Sequence, residues 1–179
     1  MRFVITGEWN RNRLLQTIVV LYSVYVAGLW LTNTLLYFTK MSLTADSVVA
    51  YYLGSEERFL SPRSYQGLLE VSHFHLFAMG MLLLVLTHLM LFVPVKGEIK
   101  AWLIALPFAS ALLDEGASWL VRFVHPLFAY AKIAGFLALQ TSLAVLIVVS
   151  LWSVFAGTQS NYETPPKAPP PSPPAGAGP

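Results

Sequence analysis

Four apolar runs, at residues 14–38, 75–95, 99–119 and 126–155, constrain what this chain can fold into more than any other feature of its sequence. A hydrocarbon layer about 30 Å thick is crossed by about 20 residues of helix, and each run reaches that length. The fold class that follows is all-α, an integral membrane four-helix bundle, and the short links between antiparallel spans make it up-and-down. Composition agrees: 56% hydrophobic and 11% charged side chains, with a mean hydropathy of +0.61, leave too little polar surface for a soluble domain. Lipid is the expected solvent and main partner.

The first run follows Arg2, Arg11 and Arg13, a charged start resembling that of a secretory signal. A signal peptide has an apolar stretch of about 7–15 residues before small residues at a cleavage site. This run instead continues through Trp30 and Tyr37 and reads as a retained span. Lys and Arg resist translocation. Arg2, Arg11, Arg13, Lys96, Lys100 and Lys167 fall on one side, against Lys40, Arg58, Arg63 and Arg122 on the other. That bias places an N-terminal segment at 1–13, the 94–100 hairpin and the C-terminus on the cytoplasmic side of a bacterial inner membrane, with the 40–72 connection outside.

Within that outer connection, Thr44 is positioned to cap a short helix carrying Val48 and Tyr52, which Gly54 would end. The acidic turn Gly54-Ser55-Glu56-Glu57 follows, and Ser61-Pro62 reads as an N-cap with proline at the first helical position. The second span would then begin outside the membrane, with Glu70 and His73 at the interface. At the other end, residues 156–179 close on PPKAPPPSPPAGAGP, which cannot bury enough apolar surface to fold. This stretch reads as a disordered cytoplasmic tail, either passive or a PxxP ligand.

Function classes narrow by exclusion. A net charge of +2 with scattered basic residues offers no footprint for nucleic acid. The absence of cysteine excludes disulfides, iron–sulfur clusters and covalently attached c-type haem. No spacing marks a nucleophile with its base, so no hydrolytic centre is expected.

Ionisable residues inside lipid are costly, which makes their depth informative. Asp114 and Glu115 follow Ala101 by about thirteen residues, or about 20 Å of helix. Lys132 lies about 9 Å beyond Pro126, so acids and cation sit at matching depth in the outer half of the bilayer. Pairing would avoid a bare charge in hydrocarbon, and Arg122, on nearly the same face as Glu115, could join. The cluster Glu70, Asp114, Glu115, Arg122 and Lys132 is then either an ion-pair clip between helices or a proton or quinone site.

Histidine forms the second group. His73 and His75 point about 200° apart on a helix, so they cannot both bind one centre. In membrane b-type cytochromes, two histidines on one helix ligate two stacked haems, with partners on a second helix. Here His73 or His75 with His125 could hold one b-type haem at the outer side, and Gly80 on the face of His73 would let a macrocycle approach. His88 has no histidine partner on another helix, so an inner haem there would need an axial methionine, a high-spin iron or another subunit, and His88 is otherwise a candidate metal ligand. The alternative is that all four are interfacial or interhelical hydrogen-bonding residues. Pro107 is expected to kink the third span, while Trp30, Tyr37, Trp102, Trp119, Tyr130 and Trp152 read as interface or packing residues.

Gly54-Ser55-Glu56-Glu57, Glu70 with His73 and His75, and Asp114 with Trp119 and Arg122 together resemble a group of small four-span bacterial inner-membrane proteins, over about residues 14–155. The resemblance implies association with multihaem cytochrome or other respiratory electron-transfer systems. Three functions stand beside one another: an accessory or electron-transfer subunit of a respiratory complex, bound to cytochrome or oxidoreductase subunits and to b-type haem or quinone; a cofactor-free structural or assembly protein; and a proton or ion transporter gated by Asp114, Glu115 and Lys132, which would have to form a homo-oligomer to enclose a path.

Overall fold

The computed structural model describes residues 13–93 and 95–155. The N-terminal arginines 2 and 11, Pro94 and the proline-rich 156–179 segment lie outside the described residues. Five α-helices follow in order: α1 Arg13–Lys40, α2 Ala45–Leu53, α3 Tyr65–Met90, α4 Gly97–Phe123 and α5 Ala129–Phe155, the last entered through a single 3-10 turn, Pro126–Phe128. Four helical segments are long and apolar enough to cross a membrane: Arg13–Lys40, Tyr65–Met90, Gly97–Phe123 and Pro126–Phe155. In lipid no water is available to the amides, so each segment satisfies its backbone within its own helix. The 41–64 connection and the 3-10 turn lie at one end of this up-and-down bundle, and the link between α3 and α4 at the other.

Helix ends follow local chemistry. Thr44 stands at the N-cap of α2 without a side-chain cap bond. Its hydroxyl pairs with the Ser42 hydroxyl at 2.9 Å, and the Ser42 amide donates instead to Ser47 Oγ. Gly54 ends α2 at φ 88°, where a Cβ would lie 2.7 Å from the Leu60 carbonyl oxygen; only glycine accepts both constraints. Ser61 does not cap α3. The Arg63 amide donates to the Tyr52 carbonyl, which holds the chain out of helix until Ser64, whose hydroxyl accepts from the Gly67 amide at 3.0 Å. Consequently α3 begins ten residues ahead of the apolar run at 75, and Glu70, His73 and His75 belong to its regular interior.

Helix α5 is the hub, packing on α1, α3 and α4, while α1 and α3 touch sparsely. Because lipid is as apolar as leucine, close packing and hydrogen bonds rather than water exclusion hold such helices together. Val26, Leu83, Leu86, Met90, Leu139, Leu143 and Leu146 interlock in the middle of the bundle. Nearer the connection end, Tyr37 and Phe136 stack with ring centres 3.7 Å apart, and Val48 and Tyr52 seat α2 on the bundle. Pro107 is fully buried inside α4 and borders an apolar groove of about 410 Å³ between α4 and α5.

One buried amide is out of place in this packing. The Gln140 carbonyl accepts from Trp30 Nε1 at 2.9 Å, but both side-chain polar atoms of Gln140 are buried without a partner among the described residues. Gln140→Leu, nearly equal in volume, is therefore expected to raise stability by about 1 kcal/mol in detergent unfolding. A lowered midpoint would show that the amide is bonded in the folded protein.

Candidate functional site

At the connection end, α4 and α5 approach so closely that a Cβ on Gly135 would lie 2.8 Å from the Asp114 amide nitrogen. Three residues before Gly135, about one turn away, Lys132 uses this proximity. Its Nζ sits 2.7 Å from Asp114 Oδ1 and donates to the Asp114 backbone carbonyl at 3.0 Å. The side chains are 8% and 15% exposed. Two charges so buried are sustained only as a pair, because removing either from water alone is prohibitive.

A second chain of bonds ties the neighbouring carboxylate. Glu115 Oε1 accepts from the Ser72 hydroxyl, which in turn accepts from Trp119 Nε1 at 2.8 Å. On the α2 side, the Tyr52 and Ser118 hydroxyls pair at 2.9 Å, and Ser118 also donates to the Asp114 carbonyl at 3.3 Å. Burial pushes the Tyr52 phenol above the usual tyrosine range, against the opposing pull of the Lys132 charge. Hydroxyls from α3 and α4 thereby hold Glu115 and the Asp114 backbone carbonyl, with Tyr52 of α2 bonded to Ser118 behind them.

These groups border a cavity of about 390 Å³, within the range of small-molecule sites. Asn33, Tyr37 and Lys40 of α1 line one side, and Gly67, Val71 and His75 of α3 another. Asp114, Glu115, Lys132 and Phe136 form the inner wall, and residues 61–64 with Tyr51 and Tyr52 cover the end. Since α1 and α3 touch only sparsely, the cavity occupies the gap between them. Lys40 and Arg63 add positive charge at its mouth, Arg63 lying over the Tyr51 ring at 4.1 Å. The lining offers donors, acceptors and a stacked aromatic pair around one space.

Of the histidines and of the ion-pair cluster singled out in the sequence, Asp114, Glu115, Lys132 and His75 meet at this cavity, and the others do not. Arg122 turns away from the acids and donates through Nε to the Arg63 carbonyl at 2.7 Å, bracing the loop that roofs the cavity. Glu70 is exposed on α3 and accepts from Gln66. Exposed His73 packs edge-on to Phe74. His125 caps the 3-10 turn, its Nδ1 accepting from the Leu127 amide at 3.1 Å, so that nitrogen already has a bond. His88 is exposed beside Phe92. Among the described residues no group of three or more histidines and carboxylates is gathered to hold a metal ion.

Ser72, Ser118 and Tyr52 complete the site without having been singled out for chemistry. A weak signal existed for two of them. Ser118 follows Asp114 by one helical turn, and Ser72 is one of two hydroxyls on the mostly apolar buried stripe of α3.

Residues 42–161, well over half of the chain, match the profile of a family described as a transmembrane helical domain. That region starts after α1 and takes in α2 to α5 with Asp114, Glu115 and Lys132. No curated protein and no solved structure matches the chain. By the family match, the chain belongs to the Aq_1264_TM family of transmembrane helical domains.

Proposed function

We propose that this membrane protein is an accessory electron-transfer subunit of a bacterial respiratory system and binds the head of a membrane quinone in the cavity between α1 and α3. The observation that carries the reading is the convergence of the Lys132–Asp114 pair, Glu115, His75 and the Tyr37–Phe136 stack on one space of about 390 Å³. A quinone head is a flat ring with two carbonyl acceptors, which become hydroxyl donors on reduction. A wall with both donors and acceptors beside aromatic faces suits both states. Haem is less well served, because the cavity takes in His75 but neither His73 nor His125. In this reading the chain sits in the inner membrane with its termini in the cytoplasm and the cavity toward the outer face. Its partners are the oxidoreductase or cytochrome subunits that exchange electrons with the quinone.

A cofactor-free structural role is favoured by one observation: Lys132 takes both its oxygen partners from Asp114, as a clip between α4 and α5 would. Titration of the purified protein in nanodiscs with a tailless quinone separates the two. Quinone binding is expected to quench tryptophan fluorescence saturably, since Trp119 bonds Ser72 beside Glu115, and Glu115→Gln is expected to weaken it about fivefold, or about 1 kcal/mol. Absence of saturable quenching would leave the structural role in its place.

A further inference from the structure

A second cavity, of about 70 Å³, adjoins the first and shares His75, Asp114 and Glu115 with it. Beyond those three residues the character of the wall changes completely. Met79, Gly80 and Leu83 of α3 face Phe108 and Ala111 of α4, with Leu139 of α5 behind them. From Glu115 to Phe108 is about 10 Å of helix, and from His75 to Leu83 about 12 Å, so this slot runs from the carboxylates toward the middle of the bundle. Gly80 makes room for it: a Cβ there would meet nothing within 4 Å. Leu76 and Leu112, both more than half exposed, stand along its lipid-facing side.

A polar chamber and a narrow apolar slot joined at one set of carboxylates have the shape of an amphiphile. An apolar cavity excludes water and takes apolar groups, and its small volume beside the 390 Å³ chamber suits one chain and not a ring. We infer that the ligand of this site carries a single hydrocarbon tail, which lies between α3 and α4 in the slot while the head occupies the polar cavity. The substrate class is a tailed, lipid-phase quinone. This inference rests on the quinone reading and adds the route of the tail.

Two probes separate the inference from the reading beneath it: a benzoquinone head without a tail, and the same head with a ten-carbon tail, each titrated into the full chain in nanodiscs with concentrations expressed per lipid. The wild-type protein is expected to bind the tailed probe at least tenfold more tightly than the tailless one. Gly80→Leu, which fills the slot, is expected to abolish that advantage and leave tailless binding within twofold; Ala111→Leu should act in the same direction. Gly28→Leu, on the exposed face of α1, should change neither. Equal wild-type affinities for the two probes, or a tail advantage that survives both slot-filling substitutions, would overturn the tail route while leaving the head site standing. Failure of both probes to bind the wild-type protein would overturn the quinone reading itself, and the tail with it.

Discussion

Lys132→Met is expected to destabilise the bundle by about 3–5 kcal/mol, because it leaves the Asp114 carboxylate buried without its counter-charge. Methionine keeps the length and apolar stem of lysine, so lost packing contributes little. The loss comes from Asp114 Oδ1, which sits 2.7 Å from Nζ and has no hydrogen-bond partner among the described residues to take over. Asp114→Asn in the same background should recover most of the stability, since a neutral amide replaces the stranded charge and the pair as a whole adds little over a neutral contact. Reversible unfolding in mixed micelles, followed by tryptophan fluorescence, reads the wild type and both variants. A single substitution within about 0.5 kcal/mol of wild type would mean that the two charges are solvated.

Gly135→Ala is expected to cost about 1–3 kcal/mol although it adds a single methyl group. The new carbon would lie 2.8 Å from the Asp114 nitrogen, 2.9 Å from its Cα and 3.2 Å from the Leu113 carbonyl carbon. All three are backbone atoms of a helix, which cannot rotate aside as a side chain would, so α5 must retreat from α4. Retreat also lengthens the Lys132–Asp114 contact. The effects of Gly135→Ala and Lys132→Met should therefore be less than additive in a double-mutant cycle. Gly116→Ala supplies the control: nothing lies within 4 Å of a Cβ there, and alanine in a helix interior gains about 0.5–1 kcal/mol over glycine. Equal effects at the two glycines would refute the close approach.

Much of the bundle was legible because lipid leaves so few alternatives. An apolar run of more than 20 residues in hydrocarbon must be helical, and the short link between residues 95 and 99 turns one span directly back on another. That Lys132 pairs with an acid was legible for the same reason, though not whether with Asp114 or Glu115: counting 1.5 Å per residue from each end of its run gives a depth, and opposite charges buried at one depth cost less paired than apart. Gly54 was readable because a chain leaving a helix there needs a positive φ, which glycine supplies without strain.

Side-chain direction was not legible in this way. Depth placed Arg122, His73 and His125 near the acids but carried no information about azimuth, which depends on how each helix is rotated against its neighbours. The buried stripe of α3 runs through Leu68, Ser72 and Leu83, leaving His73 outside the cavity, and the Arg63 carbonyl draws Arg122 away from the acids. The start of α3 was read three residues early, at Ser61-Pro62, because the bond from the Arg63 amide to the Tyr52 carbonyl that holds the chain out of helix until Ser64 is a contact with another element. Ser72, Ser118 and Tyr52 had no visible partners for a simpler reason: a hydroxyl carries no charge whose burial would demand a particular counterpart.

The sequence by itself determined that four apolar helices form and that a buried lysine and aspartate share one depth, since the cost of polar groups in hydrocarbon depends on local composition and length alone. Only the tertiary structure decided that α5 is the hub, that Gly135 brings it against the backbone of α4, and that a polar cavity opens between α1 and α3 and narrows into an apolar slot between α3 and α4. Those features depend on the relative rotation and spacing of helices, which are set by the interlocking of side chains far apart in the chain.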